Sequence, residues 1–126
     1  MIVDDHAGAR EMIRQVLDFP GVTVLECASG EEAVQRVQIF KPDWVTMDVR
    51  MQGLNGIDAT ESLRKKFPGA RVVFFSNDNS PQIHRAALKA GAAAFFGKEQ
   101  CDELRNFISP GAIQTSGPAK SGGKSK

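Results

Sequence analysis

The chain has 126 residues, which is enough for one domain of ordinary size and too few for two. Its 16 basic and 15 acidic side chains nearly cancel, so the composition does not indicate a nucleic-acid or membrane surface. No apolar run approaches the roughly 18 residues that a membrane-spanning helix requires.

The two cysteines, Cys27 and Cys101, show no metal-ligand spacing. No secretory signal peptide is apparent in the sequence, and an oxidising compartment is where a disulfide would persist. We therefore expect reduced thiols in a cytoplasmic protein that binds no membrane.

The first two predicted strands are each followed by a predicted helix. The short apolar stretch 1–3 predicts a strand, and the apolar spacing from Ala7 to Phe19 is typical of one helix face. The next stretch, VTVLECA at 22–28, is rich in β-branched residues and predicts a second strand. Ser29 and Glu32 then form a capping box, which predicts a helix to about residue 40.

The middle of the chain repeats this alternation. WVTM at 44–47 predicts a third strand, and a third helix is expected from Asn55 or Gly56 to residue 67. The uninterrupted apolar run RVVFF at 71–75 predicts a fourth strand. Ser80 followed by Pro81 combines a cap with proline at the first helical position, so a fourth helix should begin there.

The last predicted strand is AAFF at 93–96, and a final helix is expected over 101–108. Five strands alternating with five helices indicate right-handed crossovers and one parallel sheet covered on both faces. After Pro110 the sequence lacks aromatic residues and is rich in glycine, serine and lysine. We therefore assign residues 1–109 to one α/β domain and residues 110–126 to a flexible tail.

Polar residues follow four of the five predicted strands. They are Asp4 and Asp5 after the first strand, Asp48 after the third, Ser76 after the fourth and Lys98 after the fifth. Ligands of open parallel sheets bind outside the carboxyl ends of the strands, so these side chains are expected to meet at one edge.

Each of these residues also has an ordinary interpretation. Asp48 could open a turn, the Asp4–Asp5 pair could cap a helix, Ser76 could end a strand, and Lys98 could be a solvated surface lysine. His6 is interpreted as a surface or capping residue. The coincidence of several such groups at one edge is what favours a functional site.

Three carboxylates at one edge repel one another and resist joint ionisation, a conflict that a divalent cation removes. Mg²⁺ suits the site because it prefers carboxylate, water and phosphate oxygens. An ionised carboxylate such as Asp48 can attack phosphorus and form an aspartyl-phosphate, while the Lys98 cation neutralises charge. The residues therefore indicate magnesium-dependent phosphoryl transfer.

Four stretches together resemble the response-regulator receiver domain of bacterial two-component signalling. They are IVDDH (2–6), MDVRMQGLNGIDA (47–59), VVFFSN (72–77) and KAGAAAFFGK (89–98). The resemblance extends over about residues 2–108 and is strongest to the subfamily that usually carries a C-terminal helix-turn-helix. It implies a three-layer flavodoxin-like (βα)5 fold with strand order 2-1-3-4-5.

The resemblance also implies a role for each polar residue at the sheet edge. Asp48 matches the phosphoacceptor, Ser76 the hydroxyl that contacts the phosphoryl group, and Lys98 the lysine that pairs with it. Phe95 matches the switch aromatic, which turns inward when Ser76 moves. The implied magnesium ligands are Asp4, Asp5, Asp48 and the backbone carbonyl of Arg50.

Family members take the phosphoryl group from a histidine kinase, a phosphotransfer protein or a small acyl phosphate, and hydrolyse it slowly. The resemblance therefore implies a switch that catalyses its own modification rather than a conventional turnover enzyme. Its output would be a protein target, or self-association, through the face formed by the fourth helix, fifth strand and fifth helix. We expect no direct binding of nucleic acid by this chain.

Among the departures from the family pattern are two positions in the loops after Asp48 and Lys98. Gln52 stands where proline is usual, and we expect a looser loop without an effect on the chemistry. Glu99 follows Lys98 where many members have a cis proline, and we expect a trans bond because a non-proline cis bond costs about 2.5–4 kcal/mol.

Three other functions are alternatives to the switch. A degenerate receiver would bind partners without phosphorylation. An aspartate-nucleophile hydrolase usually has a D-x-D arrangement, whereas Asp48 is followed by Val49 and Arg50. A dinucleotide-binding domain would carry G-x-G-x-x-G after its first strand, and none is present.

Overall fold

The computed structural model describes residues 1–109, so the predicted tail at 110–126 lies outside the described residues. Strands and helices alternate along the chain as expected. The strands are β1 (Ile2–Val3), β2 (Glu26–Cys27), β3 (Trp44–Met47), β4 (Arg71–Ser76) and β5 (Ala94–Gly97). The helices are α1 (Ala7–Val16), α2 (Gly30–Phe40), α3 (Gly56–Lys66), α4 (Pro81–Lys89) and α5 (Cys101–Ile108).

All five strands join one parallel sheet in the order β2-β1-β3-β4-β5, which confirms the predicted fold class and strand order. Helices cover both faces. Side chains of α2, α3 and α4 pack against one face, whereas those of α1 and α5 pack against the other. The two apolar clusters explain why the central strands are continuously apolar.

Local capping sets where three of the helices begin. The Ser29 hydroxyl accepts the Glu32 N–H at 3.1 Å, and the Glu32 carboxylate returns to the Ala28 N–H at 2.7 Å. Asn55 accepts the N–H of Asp58, and Ser80 that of Ile83, in the same way. These caps satisfy backbone donors that a helix start leaves unpaired, and so define the strand-to-helix loops.

Two predicted elements are too long. The strand expected over 22–28 is reduced to Glu26–Cys27, because β1 has two residues and no strand within residues 1–109 lies beside residues 22–24 to form a ladder. A cavity of about 480 Å³ opens there, lined partly by Val24 and Trp44. The helix expected to reach Phe19 ends at Val16, and Phe19 instead packs under the Arg105 guanidinium, 4.3 Å from its ring centre.

Gly56, the first residue of α3, lies against the backbone of the residue that follows β3. Its N–H donates to the Val49 carbonyl at 2.9 Å. A methyl group at Gly56 would lie 1.9 Å from the carbonyl oxygen of Asp48, which is far inside contact distance. Glycine therefore permits the close approach that holds the loop after β3 in place.

We predict that Gly56→Ala lowers the free energy of unfolding by about 3 kcal/mol, since backbone must move to admit the methyl group. Urea denaturation of the purified protein measures the change. Gly8→Ala is the matched control, because no atom of the described chain lies within 4 Å of a methyl group there. The control should alter stability by less than about 1 kcal/mol and in the favourable direction. Equal effects of the two substitutions would contradict the close approach.

Candidate functional site

The carboxyl ends of β1, β3 and β5 bring together two aspartates and one lysine. Lys98 Nζ lies 2.6 Å from Asp4 Oδ2 and 3.6 Å from Asp48 Oδ2. Lys98 is mostly buried and the Asp4 side chain is completely buried, so this ion pair is shielded from solvent. Three residues that are far apart in sequence therefore share one charged centre, as the sequence predicted.

Asp4 is held at its backbone and at both carboxylate oxygens. The N–H of Asp4 donates to the Cys27 carbonyl at 3.1 Å, which continues the ladder between β1 and β2. Oδ1 accepts the His6 N–H at 2.9 Å, and Oδ2 accepts from Lys98. The Asp4 carbonyl accepts a hydrogen bond from Arg10 Nη1 at 2.8 Å. This carboxylate is thus fixed before any ligand binds.

Asp48 lies at the end of β3 with its carboxylate 8% exposed. Its N–H donates to the Val3 carbonyl at 3.1 Å, and its Oδ1 accepts the Val49 N–H at 2.9 Å. One oxygen is therefore engaged by backbone, and the other faces the Lys98 ammonium. Asp48 is not a solvated turn residue.

Burial raises the pKa of the Asp48 carboxyl above its usual value, and the nearby Asp4 charge raises it further. Hydrogen bonding from the Ser76 side chain, the Lys98 charge and the Val49 N–H act in the opposite direction. The net shift is upward, so ionising Asp48 in the metal-free protein is electrostatically unfavourable.

Asp5 points towards the loop that follows β3. Its Oδ2 accepts the backbone N–H of Gln52 at 3.2 Å. A proline at this position has no N–H to donate, so this bond depends on the glutamine that stands there. The departure from the family pattern adds a direct link between this loop and an acidic residue of the site.

The donor set fits a hard divalent cation. Asp5 Oδ1 is buried and has no hydrogen-bond partner among the described residues; His6 Nδ1 lies 3.0 Å away but outside hydrogen-bond geometry. Ligand atoms of Asp4, Asp5 and His6 lie within 4.8 Å of one another. A buried carboxylate oxygen without a hydrogen bond, beside the Asp4 carboxylate, is a chemical environment that a cation would relieve.

His6 precedes α1 as its N-cap residue without a side-chain capping bond, and its side chain is 77% exposed. The prediction of a surface position is confirmed. Its imidazole is the one group of this acidic cluster that the sequence analysis did not include.

Arg50 and Asp78 form an ion pair above the loops after β3 and β4. The Arg50 Nε lies 2.5 Å from Asp78 Oδ2, and the Arg50 side chain is 77% exposed. The backbone carbonyl of Arg50, a predicted magnesium ligand, accepts no hydrogen bond from the described residues. The sequence pattern could not predict this role of Asp78, because its partner Arg50 lies 28 residues away along the chain.

Ser76 ends β4 and is almost fully buried beside the charged centre. Its hydroxyl accepts the Asp78 N–H at 3.1 Å, and its carbonyl accepts the Lys98 N–H at 3.2 Å. There is no cis peptide bond in residues 1–109, so the bond between Lys98 and Glu99 is trans as expected.

Phe95, the predicted switch aromatic, lies in the interior of the sheet rather than on the surface. It is 9% exposed and stacks on Phe74 with ring centres 5.7 Å apart. The ring centre of His84 in α4 lies 4.2 Å from that of Phe95, with the two planes tilted by 34°. Phe95 therefore connects β4 to α4, two residues before the Gly97 that pairs with Ser76.

Comparison with known proteins identifies the class that this fold and site define. Residues 1–109 match the family model of the response regulator receiver domain. The chain belongs to this family, which is the receiver module of two-component signalling.

None of the helices in residues 1–109 is long and apolar enough to cross a membrane.

Individual relatives support the same family assignment. The chain is 40% identical over 100 residues to the transcriptional activator protein ExaE of Pseudomonas putida, covering 78% of this chain and 47% of that protein. It is 38% identical over 99 residues to the chemotaxis protein CheY of Thermotoga maritima, covering 78% of this chain and 82% of that protein. The chain thus spans about half the length of the activator.

A solved structure shows the same fold. The two-component response regulator of the LuxR family from Aurantimonas superposes with a TM-score of 0.82 at 31% identity, covering 95% of this chain and 86% of that chain. The resemblance to the subfamily of DNA-binding regulators is consistent with this neighbour and with the activator.

The raised pKa of Asp48 predicts a pH-dependent stability difference in chelator-treated protein. Ionised Asp48 costs stability at neutral pH, and this cost disappears as the pH falls through the raised pKa towards the ordinary value of 3.8. Asp48→Asn should therefore be more stable than the parent at pH 7, with the difference shrinking as the solution is acidified. Urea unfolding at several pH values measures it.

Asp18→Asn is the control, because Asp18 is exposed and its side chain makes no ion pair in the described structure. It should not stabilise the protein at pH 7. A parent that is more stable than Asp48→Asn at neutral pH without metal would contradict the electrostatic account of the site.

Proposed function

We propose that the chain is a phosphoacceptor switch in which Asp48 receives a phosphoryl group from a histidine kinase or phosphotransfer protein. The observation that carries this proposal is the position of Lys98 Nζ between Asp4 Oδ2 and Asp48 Oδ2, at 2.6 and 3.6 Å. A nucleophilic carboxylate, a fixed cation and an acidic pair are the groups that phosphoryl transfer to aspartate requires.

The residues that would hold Mg²⁺ are Asp4, Asp5, Asp48 and the backbone carbonyl of Arg50. When bound, the ion would supply positive charge for the phosphoryl oxygens and for the three carboxylates. Asp5 Oδ1 accepts no hydrogen bond within residues 1–109, and burial raises the pKa of Asp48. A bound cation would stabilise both carboxylates in their ionised form, which supports this proposal.

In the transfer step, the Asp48 Oδ2 attacks phosphorus and the bond from phosphorus to the donor breaks, so the donor leaves with that electron pair. Asp48 Oδ1 accepts the Val49 N–H at 2.9 Å, whereas Oδ2 is the oxygen next to Lys98, so we assign Oδ2 as the nucleophilic atom. Lys98 lies next to Oδ2 and would stabilise the charge that accumulates on the phosphoryl oxygens.

The response would then pass through Ser76 and Phe95. The Ser76 hydroxyl accepts the Asp78 N–H and is hydrogen-bonded to the Asp48 carboxyl group. A phosphoryl oxygen on Asp48 would compete for the proton of this hydroxyl. Movement of Ser76 would shift Lys98, whose N–H donates to the Ser76 carbonyl. It would also shift β5, the strand that carries Phe95 and pairs with β4. His84 of α4 lies against Phe95, so the face of α4, β5 and α5 is the proposed surface for a protein target or for self-association.

We predict that Asp48→Asn abolishes formation of the phosphoryl adduct, because an amide is not a nucleophile for this reaction. The test incubates the protein with Mg²⁺ and acetyl phosphate and measures intact mass. The parent should gain the mass of one phosphoryl group, and chelation of magnesium should prevent the gain.

Asp18→Asn is again the matched control and should be modified as the parent is. An adduct of undiminished yield on Asp48→Asn would assign the chemistry to another residue. No adduct on the folded parent, together with a beryllofluoride spectrum unchanged around Ser76 and Phe95, would favour a receiver that binds partners without phosphorylation.

We predict that Lys98→Ala impairs the response more than it impairs magnesium binding. Loss of the ammonium removes a cation that competes for Asp4 and Asp48, so Mg²⁺ affinity should be retained or increased. The metal-free protein should lose roughly 3 kcal/mol of stability, because a buried carboxylate is left unpaired.

The measurements are a magnesium titration and amide spectra with and without beryllofluoride. Lys89→Ala, on an exposed lysine at the end of α4, should behave as the parent does in both. A Lys98→Ala protein that shows a full spectral response at Phe95 would refute a role for this lysine in the switch.

A further inference from the structure

Arg10 on α1 connects the backbone of Asp4 to the edge strand β2. Its Nη1 donates to the Asp4 carbonyl at 2.8 Å, and its Nε donates to Glu26 Oε1 at 3.0 Å. The Arg10 side chain is 18% exposed, so this is a partly buried and oriented contact. The guanidinium plane offers several donors in a rigid arrangement, which lets one side chain hold both partners at once.

Glu26 is shared by two arginines with different surroundings. Its Oε2 accepts from Arg14 Nε at 2.8 Å, and Arg14 Nη2 lies 2.7 Å from the same oxygen. Hydrogen bonds from Arg14 and Arg10 hold the pKa of Glu26 below its usual value, so it is ionised at neutral pH. Both arginines neutralise this carboxylate, but in the described structure Arg10 alone of the two contacts Asp4.

The contact matters because Asp4 has no freedom to compensate for its loss. The residue is 0% exposed, so its carbonyl cannot turn to solvent. The side-chain oxygens are engaged by the His6 N–H and by Lys98. If the guanidinium is removed, the buried carbonyl is left without this donor, and the turn that carries Asp4 and Asp5 must shift to satisfy it.

We propose that Arg10 is a positioning residue for the cation site, holding the backbone of Asp4 so that the carboxylates of Asp4 and Asp5 face one ion. This inference rests on the proposed function, in which those carboxylates bind Mg²⁺. Glu26 completes the arrangement by orienting Arg10 and cancelling its charge near a site that must attract a cation.

Charge and position make opposite predictions for the loss of Arg10. As a nearby positive charge, Arg10 would repel Mg²⁺, so its removal would tighten binding. As a positioning residue, its removal would weaken binding. Outer partners of metal ligands change affinity by about 10- to 100-fold, and Arg10 acts through a backbone carbonyl, so we expect a loss at the lower end, roughly tenfold.

The experiment compares Arg10→Met with Arg14→Met in the full chain. Both substitutions keep an apolar stem and remove one positive charge from Glu26, but Arg14→Met leaves the Asp4 contact intact. Mg²⁺ dissociation constants come from calorimetric titration with magnesium chloride at pH 7. We expect about tenfold weaker binding for Arg10→Met, and for Arg14→Met a value within twofold of the parent or tighter.

Arg10→Lys separates the charge from the geometry. It retains the positive charge without the planar fork, so it should also weaken binding if position is what matters. In metal-free protein, the His6 amide signal should shift in both Arg10 variants and stay in place in Arg14→Met, because that N–H donates to Asp4. Circular dichroism confirms that each variant is folded, and Arg10→Lys decides the question if Arg10→Met does not fold.

Equal magnesium affinity for Arg10→Met and Arg14→Met, or tighter binding by Arg10→Met, would overturn the positioning role while leaving the proposed switch standing. A folded parent that binds no Mg²⁺ at millimolar concentration would instead refute the cation site itself, and this inference with it.

Discussion

A carboxylate that is completely removed from water has to find positive charge inside the fold, and this constraint organises the receiver domain. Asp4 is 0% exposed, and the ammonium of Lys98, 94 residues later, lies 2.6 Å from it. Burying an unpaired charge costs several kcal/mol, so the ends of β1 and β5 are stable in this conformation only when they are together. β3 and β4 lie between these strands in the sheet, and Asp48 and Ser76 at their ends are therefore enclosed by the same pair.

In the resulting site the carboxylates are held in place by hydrogen bonds, and their negative charge is only partly neutralised. Backbone N–H groups fix one oxygen of Asp4 and one of Asp48, yet the single Lys98 ammonium is shared between these two carboxylates. Burial and the Asp4 charge raise the pKa of Asp48, which is the expected consequence of that imbalance. A divalent cation would correct it, and for this reason metal binding and phosphoryl acceptance are coupled in the proposed mechanism.

The scaffold supports this site from both sides of the sheet. Gly56 lets α3 begin against the carbonyl of Asp48, where a methyl group would lie at 1.9 Å. On the opposite face, α1 supplies Arg10 to the carbonyl of Asp4. The geometry of two acidic residues is thereby set by contacts to their backbone. Phe95 stacks on Phe74 of β4 and also contacts His84 of α4, so it links these two elements through side-chain packing.

The sequence by itself determined the element order, the helix starts and the edge at which polar residues meet. Caps such as Ser29 and Ser80 act over three residues, and the alternation of strands with helices predicts a parallel sheet, so local patterns were sufficient for these features, whereas the strand order was implied by the family resemblance. The length of β2 was not predictable, because a strand exists only where a neighbour offers hydrogen bonds. The contacts of Gln52 with Asp5 and of Arg50 with Asp78 join residues 47 and 28 positions apart. No local pattern encodes such pairs, and the tertiary structure alone decided which polar groups of the site are held and which are left unpaired.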